Sequence, residues 1–215
     1  MTRIKICGIT RVQDVQLVVE QGADALGMVF YTDSPRNVSV SQAVKLVAAT
    51  PPFVTTVGLF VNPFVDEVRD VLRHVPLSLL QFHGEEDAEF CAQFGLPYLK
   101  AIRVKPGMDL LQCALLYQGS KIYQGAQGLL LDTFVEGTHG GTGQSFDWNL
   151  IPRNFPLPVI LSGGLQVDNV AQAIQQVRPY AVDISSGVEE GKGIKDAAKV
   201  AAFINEVKRI DLQLS

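Results

Sequence analysis

The chain has 215 residues, a length that suits one compact domain or two small ones. Apolar residues make up 47% of it and charged residues 19%, which is ample material for a large core. The formal net charge of −4, with no run of basic residues, argues against nucleic acid and anionic membranes as partners, because both reward clustered Lys and Arg. A small anionic ligand stays open, since a few local cations and backbone N–H groups can hold one.

Taken in chain order, short β-rich runs alternate with helical patterns. Residues 3–7 form the first run, and Val15, Val18 and Val19 mark one face of a helix ending at Gly22. A strand is predicted over 25–30, a helix over 41–49, and a strand over 53–61. Val65, Val68, Leu72 and Val75 carry the spacing of a third helix. Residues 77–82 read as a fourth strand. Glu85-Glu86-Asp87 then reads as an acidic helix start suited to the positive end of a helix dipole. Strands are predicted over 98–104, 128–131, 158–161 and 180–184. Helical stretches are predicted near 109–117, through Val167, Val170, Ile174 and Val177, and over about 195–207. Residues 133–147, rich in Gly and Thr, are the longest irregular segment, and the tail 211–215 is expected to fray.

Strands separated by helices must run parallel, because the chain returns before each new strand begins. Eight alternations without a linker predict one domain over residues 1–210: a single (β/α)₈ barrel of the TIM type, rather than a doubly wound open sheet. No stretch reaches the roughly 18 apolar residues that a membrane span needs, and no signal peptide is expected at the start. Three cysteines at irregular spacing suggest no disulfide framework, so a cytoplasmic location is expected. Monomer and homodimer are both compatible with the sequence.

In a barrel, the C-terminal strand ends gather at one mouth. Here they carry Cys7, Arg36 after a short loop, Asn62, Gln81 and His83, Arg103, Asp132, Ser162-Gly163-Gly164 and Ser185-Ser186-Gly187. The two Gly-rich ends follow the seventh and eighth strands, where barrels often hold phosphate on backbone N–H groups. Gly163, Gly164, Ser186 and Gly187 are therefore the candidate phosphate binders. Cys7 ends the first strand, and a nearby cation lowering its pKa would make it a nucleophile or base. Lys5, two residues earlier, points inward, either to pair with Asp183 or to act in catalysis. Asp132 ends a very apolar run, where burying a lone carboxylate is costly; raised by partial burial, it would serve as a general acid. Arg36 offers a fork for a substrate carboxylate. His74, His83 and His139 lack metal-ligand spacing, so no metal is expected. Gly140-Gly141-Thr142-Gly143 suits a mobile lid.

Together these stretches resemble the phosphoribosylanthranilate isomerase family: Lys5-Ile-Cys-Gly-Ile-Thr10, Phe30 through Ser34-Pro-Arg36, Gly58-Leu-Phe-Val-Asn62, Gln81-Phe-His-Gly84, Leu131-Asp-Thr133, Gly140-Gly-Thr-Gly143, Phe146-Asp-Trp148, Ser162-Gly-Gly-Leu165 and Asp183 through Glu189. They lie in the expected order from about residue 3 to 207. Phe82 stands where the family more often has leucine, a change in a wall residue. The resemblance implies an Amadori rearrangement of N-(5′-phosphoribosyl)anthranilate, with Asp132 as general acid and Cys7 as general base. It further implies that Arg36, Gln81, His83 and Asp183 contact the substrate, and that neither cofactor nor metal is needed. Sibling phosphosugar barrels, namely a histidine-pathway isomerase or indoleglycerol-phosphate synthase, fit less well. The former should carry a carboxylate at position 7, and the latter depends on lysines and glutamates at its strand ends. A non-catalytic phosphometabolite binder would be expected to have lost Cys7 or Asp132.

Overall fold

A computed structural model describes residues 1–119, 124–133 and 145–214. The expected lid at Gly140–Gly143 lies outside the described residues. Eight parallel strands close on themselves in chain order: β1 (Arg3–Cys7), β2 (Ala25–Val29), β3 (Thr55–Phe60), β4 (Leu79–Phe82), β5 (Tyr98–Val104), β6 (Gly128–Thr133), β7 (Val159–Leu161) and β8 (Ala181–Ile184). The β1–β8 pairing that shuts the barrel sets Lys5 opposite Asp183. The helices are α1 (Val12–Gln21), α2 (Val40–Ala48), α3 (Val65–His74), α4 (Ala88–Ala92), α5 (Leu110–Tyr117), α6 (Val170–Val177) and α7 (Ala197–Leu214). Between β6 and β7 the described residues hold only a single 3₁₀ turn, Trp148–Leu150. A short hairpin of β9 (Glu189–Gly191) and β10 (Ile194–Lys195) follows β8.

Strand side chains alternate between two faces, and burial follows that period. Leu80, Phe82, Ile102, Leu129, Leu131, Leu161 and Val182 join the layer packed against the helices. Leu79, Leu99, Ala101, Leu130, Ile160 and Ala181 fill the barrel interior. Continuing the interior parity toward the C-terminal ends brings Cys7, Gln81, His83, Asp132 and Asp183, all buried, to the same mouth. The barrel therefore aims its polar residues by register alone.

Four expectations need correction. Of Glu85-Glu86-Asp87, only Asp87 caps α4, accepting from the Phe90 N–H at 2.8 Å. Glu86 turns inward instead and meets buried Lys100 of β5 at 2.7 Å, because a low-dielectric carboxylate needs a partner more than it needs a helix dipole. The last helix begins at Ala197 and runs to Leu214, leaving Lys195 in β10. Asp211 is buried, and its carboxylate accepts from the Thr2 N–H and hydroxyl, which ties down the tail expected to fray. Residue 53 is not in a strand: Phe53 is fully exposed with φ 69°.

Candidate active site

Cys7 and Lys5 lie two residues apart on the inner face of β1, against Gly27 of β2. A Cβ on Gly27 would sit 2.7 Å from Cys7 Sγ and 3.2 Å from Lys5 Nζ, so the missing side chain is what admits both groups. Lys5 Nζ donates to Asp183 Oδ1 at 2.7 Å with both side chains buried. Burial works against the Lys5 ammonium, but Asp183 and the Cys7 sulfur outweigh it and hold its pKa above the ordinary value. The Cys7 thiol is pushed up: burial is the largest cause, Asp183 adds to it, and Lys5 and Lys195 oppose it without prevailing. The expectation of a cation-lowered thiol therefore fails. Desolvation of a thiolate at the floor of this cavity exceeds what the neighbouring ammonium groups return.

Asp132 sits near the end of β6. Its Oδ1 accepts from the Thr133 N–H at 2.8 Å, and its Oδ2 lies 3.1 Å from His83 Nε2. The other imidazole nitrogen, Nδ1, is 3.0 Å from Gln81 Nε2. Gly163 faces this carboxylate from the end of β7. With φ 84° it occupies the left-handed region that glycine enters without strain. A Cβ there would also lie 2.4 Å from Thr133 Oγ1 and 2.8 Å from Asp132 Oδ1. The first glycine of Ser162-Gly163-Gly164 thus serves two purposes, turning the chain and clearing space over Asp132.

Arg36 reaches the same cavity, but two of its donors are engaged. Nε and Nη2 bond Glu189 Oε1 and Oε2 at 2.8 and 2.7 Å. This qualifies the expected fork for a substrate carboxylate: three of the five guanidinium N–H groups remain for a ligand. The Arg36 stem crosses Gly8 (φ 76°), where a Cβ would meet Arg36 Cδ at 2.4 Å. Glu189 also accepts from Lys195 Nζ at 2.8 Å, and the ammonium further donates to the Ser185 carbonyl at 3.2 Å. Although burial opposes it, the Glu189 carboxyl is held below the ordinary carboxylate range by Arg36 and Lys195. Sequence reasoning missed both partners. Glu189 appeared only within the Asp183–Glu189 motif, and Lys195 was read as the start of a helix; a buried lysine two residues before α7 carries no local signal.

These groups surround a cavity at the C-terminal mouth, lined by Cys7, Arg36, His83, Asp132 and Asp183 and by the turns 162–165 and 184–187. The second turn leads into a single 3₁₀ turn, Ser186–Val188. Ser185 Oγ and Thr133 Oγ1 are buried without a hydrogen-bond partner among the described residues. Asp183 Oδ2 lies 3.4 Å from Ser162 Oγ, linking the β7 and β8 ends. The opposite mouth holds a wider opening. Its lining is mostly apolar, and its charged side chains are already joined in the Arg3–Asp24 and Lys5–Asp183 pairs, so it offers no acid–base set. Among the described residues, no group of three or more His, Cys, Asp or Glu side chains is placed to hold a metal ion.

Comparison with known proteins converges on one family. The model of N-(5′-phosphoribosyl)anthranilate isomerases matches residues 4–206. The isomerase of that name from Nitrosospira multiformis is 58% identical over 205 residues, covering 95% of this chain and 96% of its own. One from Pseudomonas putida is 55% identical over 207 residues, covering 96% and 98%. The crystal structure of phosphoribosyl anthranilate isomerase from Thermotoga maritima is 39% identical, with a TM-score of 0.87, covering 97% of this chain and 100% of that one. A structure of such an isomerase in complex with reduced 1-(o-carboxyphenylamino)-1-deoxyribulose 5-phosphate matches at 39% identity and a TM-score of 0.84, with the same coverage. On the strength of the matched barrel and this similarity, the chain belongs to the N-(5′-phosphoribosyl)anthranilate isomerase family.

Proposed function

We propose that this chain isomerises N-(5′-phosphoribosyl)anthranilate to 1-(2-carboxyphenylamino)-1-deoxyribulose 5-phosphate for tryptophan biosynthesis, with Asp132 as general acid and Cys7 as general base. Asp132 gives a proton to the ribose ring oxygen as the C1′–O bond breaks, and the anilinic nitrogen forms a Schiff base with C1′. The iminium draws electrons from C2′, whose proton passes to Cys7 as the enolamine forms. A proton then returns to C1′ while the C2′ hydroxyl gives one up, leaving the ketone. Two protons are supplied and two removed, so the sum closes without an external oxidant or reductant, and the substrate's own nitrogen is the electron sink.

The observation that carries this reading is the single cavity shared by Cys7 from β1, Asp132 from β6 and the turns after β7 and β8. Gly163, Gly164, Ser186 and Gly187 hold the phosphate. The free N–H groups of Arg36 hold the anthranilate carboxylate, and Asp183 is near enough to Ser162 to reach sugar hydroxyls. The three cysteines are unpaired, as suits work in the cytoplasm.

The test follows the loss of phosphoribosylanthranilate fluorescence with purified protein and no added metal. Cys7→Ser and Asp132→Asn are each expected to slow turnover by about 10²–10⁴-fold while a product analogue still binds. Unchanged turnover in either variant refutes the role given to that residue.

A further inference from the structure

The Lys5 ammonium is held by the Asp183 carboxylate and lies beside the Cys7 sulfur, and from that placement we infer that Lys5 is a positioning residue for the base: a counter-ion that Asp183 keeps in place and that the sulfur draws on when it becomes a thiolate. The inference rests on Cys7 being the general base, and adds the group that lets the sulfur carry charge.

Lys5 and Cys7 share the inner face of β1, and the β1–β8 pairing sets Asp183 opposite Lys5. Nζ and Sγ lie 3.2 and 2.7 Å from one point, the place a Cβ would take on Gly27, so they cannot be farther apart than those two lengths together. An ammonium has three N–H donors. Asp183 Oδ1 takes one at 2.7 Å, which leaves donors for the sulfur. Elsewhere the sulfur meets an apolar wall of Val29, Leu59 and Val61, with Tyr31 packed on the same cluster and its hydroxyl bonded to Asp33 at 3.1 Å. Two more cations act on it, Lys195 from β10 and Arg36, but both are bonded to Glu189. His83 and Asp132 line the cavity from β4 and β6 and are 3.1 Å from each other. Of the cations, Lys5 most strongly opposes the rise that burial imposes on the thiol, whereas Asp183 adds to that rise.

The ammonium keeps its proton throughout. The Cys7 thiol gives its proton to solvent, and the thiolate pairs with Lys5. The sulfur then takes the C2′ proton and is again a neutral thiol, and the ammonium's charge falls back on Asp183. No proton crosses Lys5. Negative charge appears on sulfur where a fixed cation meets it, and in a buried site that attraction counts for more than it would in water.

The experiment measures alkylation of Cys7 by iodoacetamide in the unaltered protein, Lys5→Met, Asp183→Asn and the double variant. The Cys7 peptide is followed by mass spectrometry, so Cys91 and Cys113 do not contribute. At about pH 8 a thiol raised by burial is mostly protonated, and the rate follows the thiolate fraction. An opposite charge at this range lowers a pKa by about 1–3, and losing it removes thiolate about tenfold per pH unit, partly offset by the higher nucleophilicity of the weaker acid. Lys5→Met should therefore react about 3–50-fold more slowly, with the alkaline limb of kcat/KM moved to higher pH. Asp183→Asn removes a negative charge and leaves the ammonium, so it should react faster than the unaltered protein. The double variant strands no buried charge, which keeps the test available if Lys5→Met alone does not fold. It should still react more slowly than the unaltered protein, because Lys5 outweighs Asp183 at the sulfur. A Lys5→Met or double variant within about twofold of the unaltered rate, or single variants that move in the same direction, overturns the inference and leaves Lys5 as a structural partner of Asp183. If the rates shift as expected while Cys7→Ser keeps full turnover, the base assignment fails and the pairing of Lys5 with Cys7 stands.

Discussion

Replacing Gly27 with alanine crowds the sulfur of the proposed base without changing any residue assigned to the substrate. The new methyl would stand 2.7 Å from Cys7 Sγ and 3.1 Å from Cys7 Cα. Ordinary contact begins near 3.4 Å, so the sulfur must retreat by roughly 3.4 − 2.7, or about 0.7 Å. Retreat along β1 is blocked, because Cys7 is in register with Gly27 and the Gly8 and Ile9 N–H groups both bond the Gly27 carbonyl at 2.9 Å. Misplacing a reacting group by about an ångström costs on the order of 10²-fold in rate. Overpacking a tight interior costs about 1–3 kcal/mol, equal to a fall in Tm of roughly 2–12 °C for a chain of this size, so the variant should still fold. Steady-state kinetics should show kcat reduced by about 10²-fold, KM little changed, and a cooperative melt at a somewhat lower Tm. A variant with unaltered kcat and a lowered Tm would refute the reasoning, since it would mean that the sulfur's position is not what the reaction reads.

Other consequences can be checked with the same protein. Because burial raises the Cys7 thiol, kcat/KM should climb with pH through and above the usual thiol range near 8.5, and the limb should vanish in the residual activity of Cys7→Ser; a plateau already reached at pH 6 contradicts this. Arg36→Ala should raise KM by about 10–150-fold, the worth of a charge-assisted contact, with kcat largely kept; intact affinity with a slower chemical step would remove the carboxylate assignment. Glu86→Gln strands the buried Lys100 ammonium and should lower unfolding stability in urea by about 3–5 kcal/mol, with the double change Glu86→Leu, Lys100→Met recovering much of it. A single variant as stable as the parent would show the pair to be idle.

Local pattern carried the architecture far. β1 and β5 fall where periodicity places them, and the interior parity of residues 79, 81, 83 and 128, 130, 132 follows from alternation alone. Where the reading went astray, the cause lay at a distance in the chain. Glu86 looked like a helix start because its partner, Lys100, sits on the next strand. Lys195 looked helical because Glu189 and the Ser185 carbonyl, which hold it, are recognisable only once the β9–β10 hairpin is formed. Residue 53 was drawn into a strand by its apolar neighbours; that Phe53 is exposed at positive φ is a property of the turn, not of composition. For the site, residue types at strand ends sufficed to choose Cys7, Asp132 and the glycines. The sign of the Cys7 shift was not legible, because it depends on how burial balances against three charges contributed by β1, β8 and β10.

The bidentate grip of Glu189 on Arg36 joins two parts of the cavity that are 153 residues apart in the chain. Glu189 directly follows the Ser186–Val188 turn, so the guanidinium is anchored to the same piece of backbone that is proposed to seat the phosphate. Under those roles the protein owns a fixed gauge: the gap between its two anion seats is set by one short covalent path and one ion pair. Molecules would be sorted by the span between their negative ends, and a ligand of the right charge but the wrong length would fill one seat and leave the other empty.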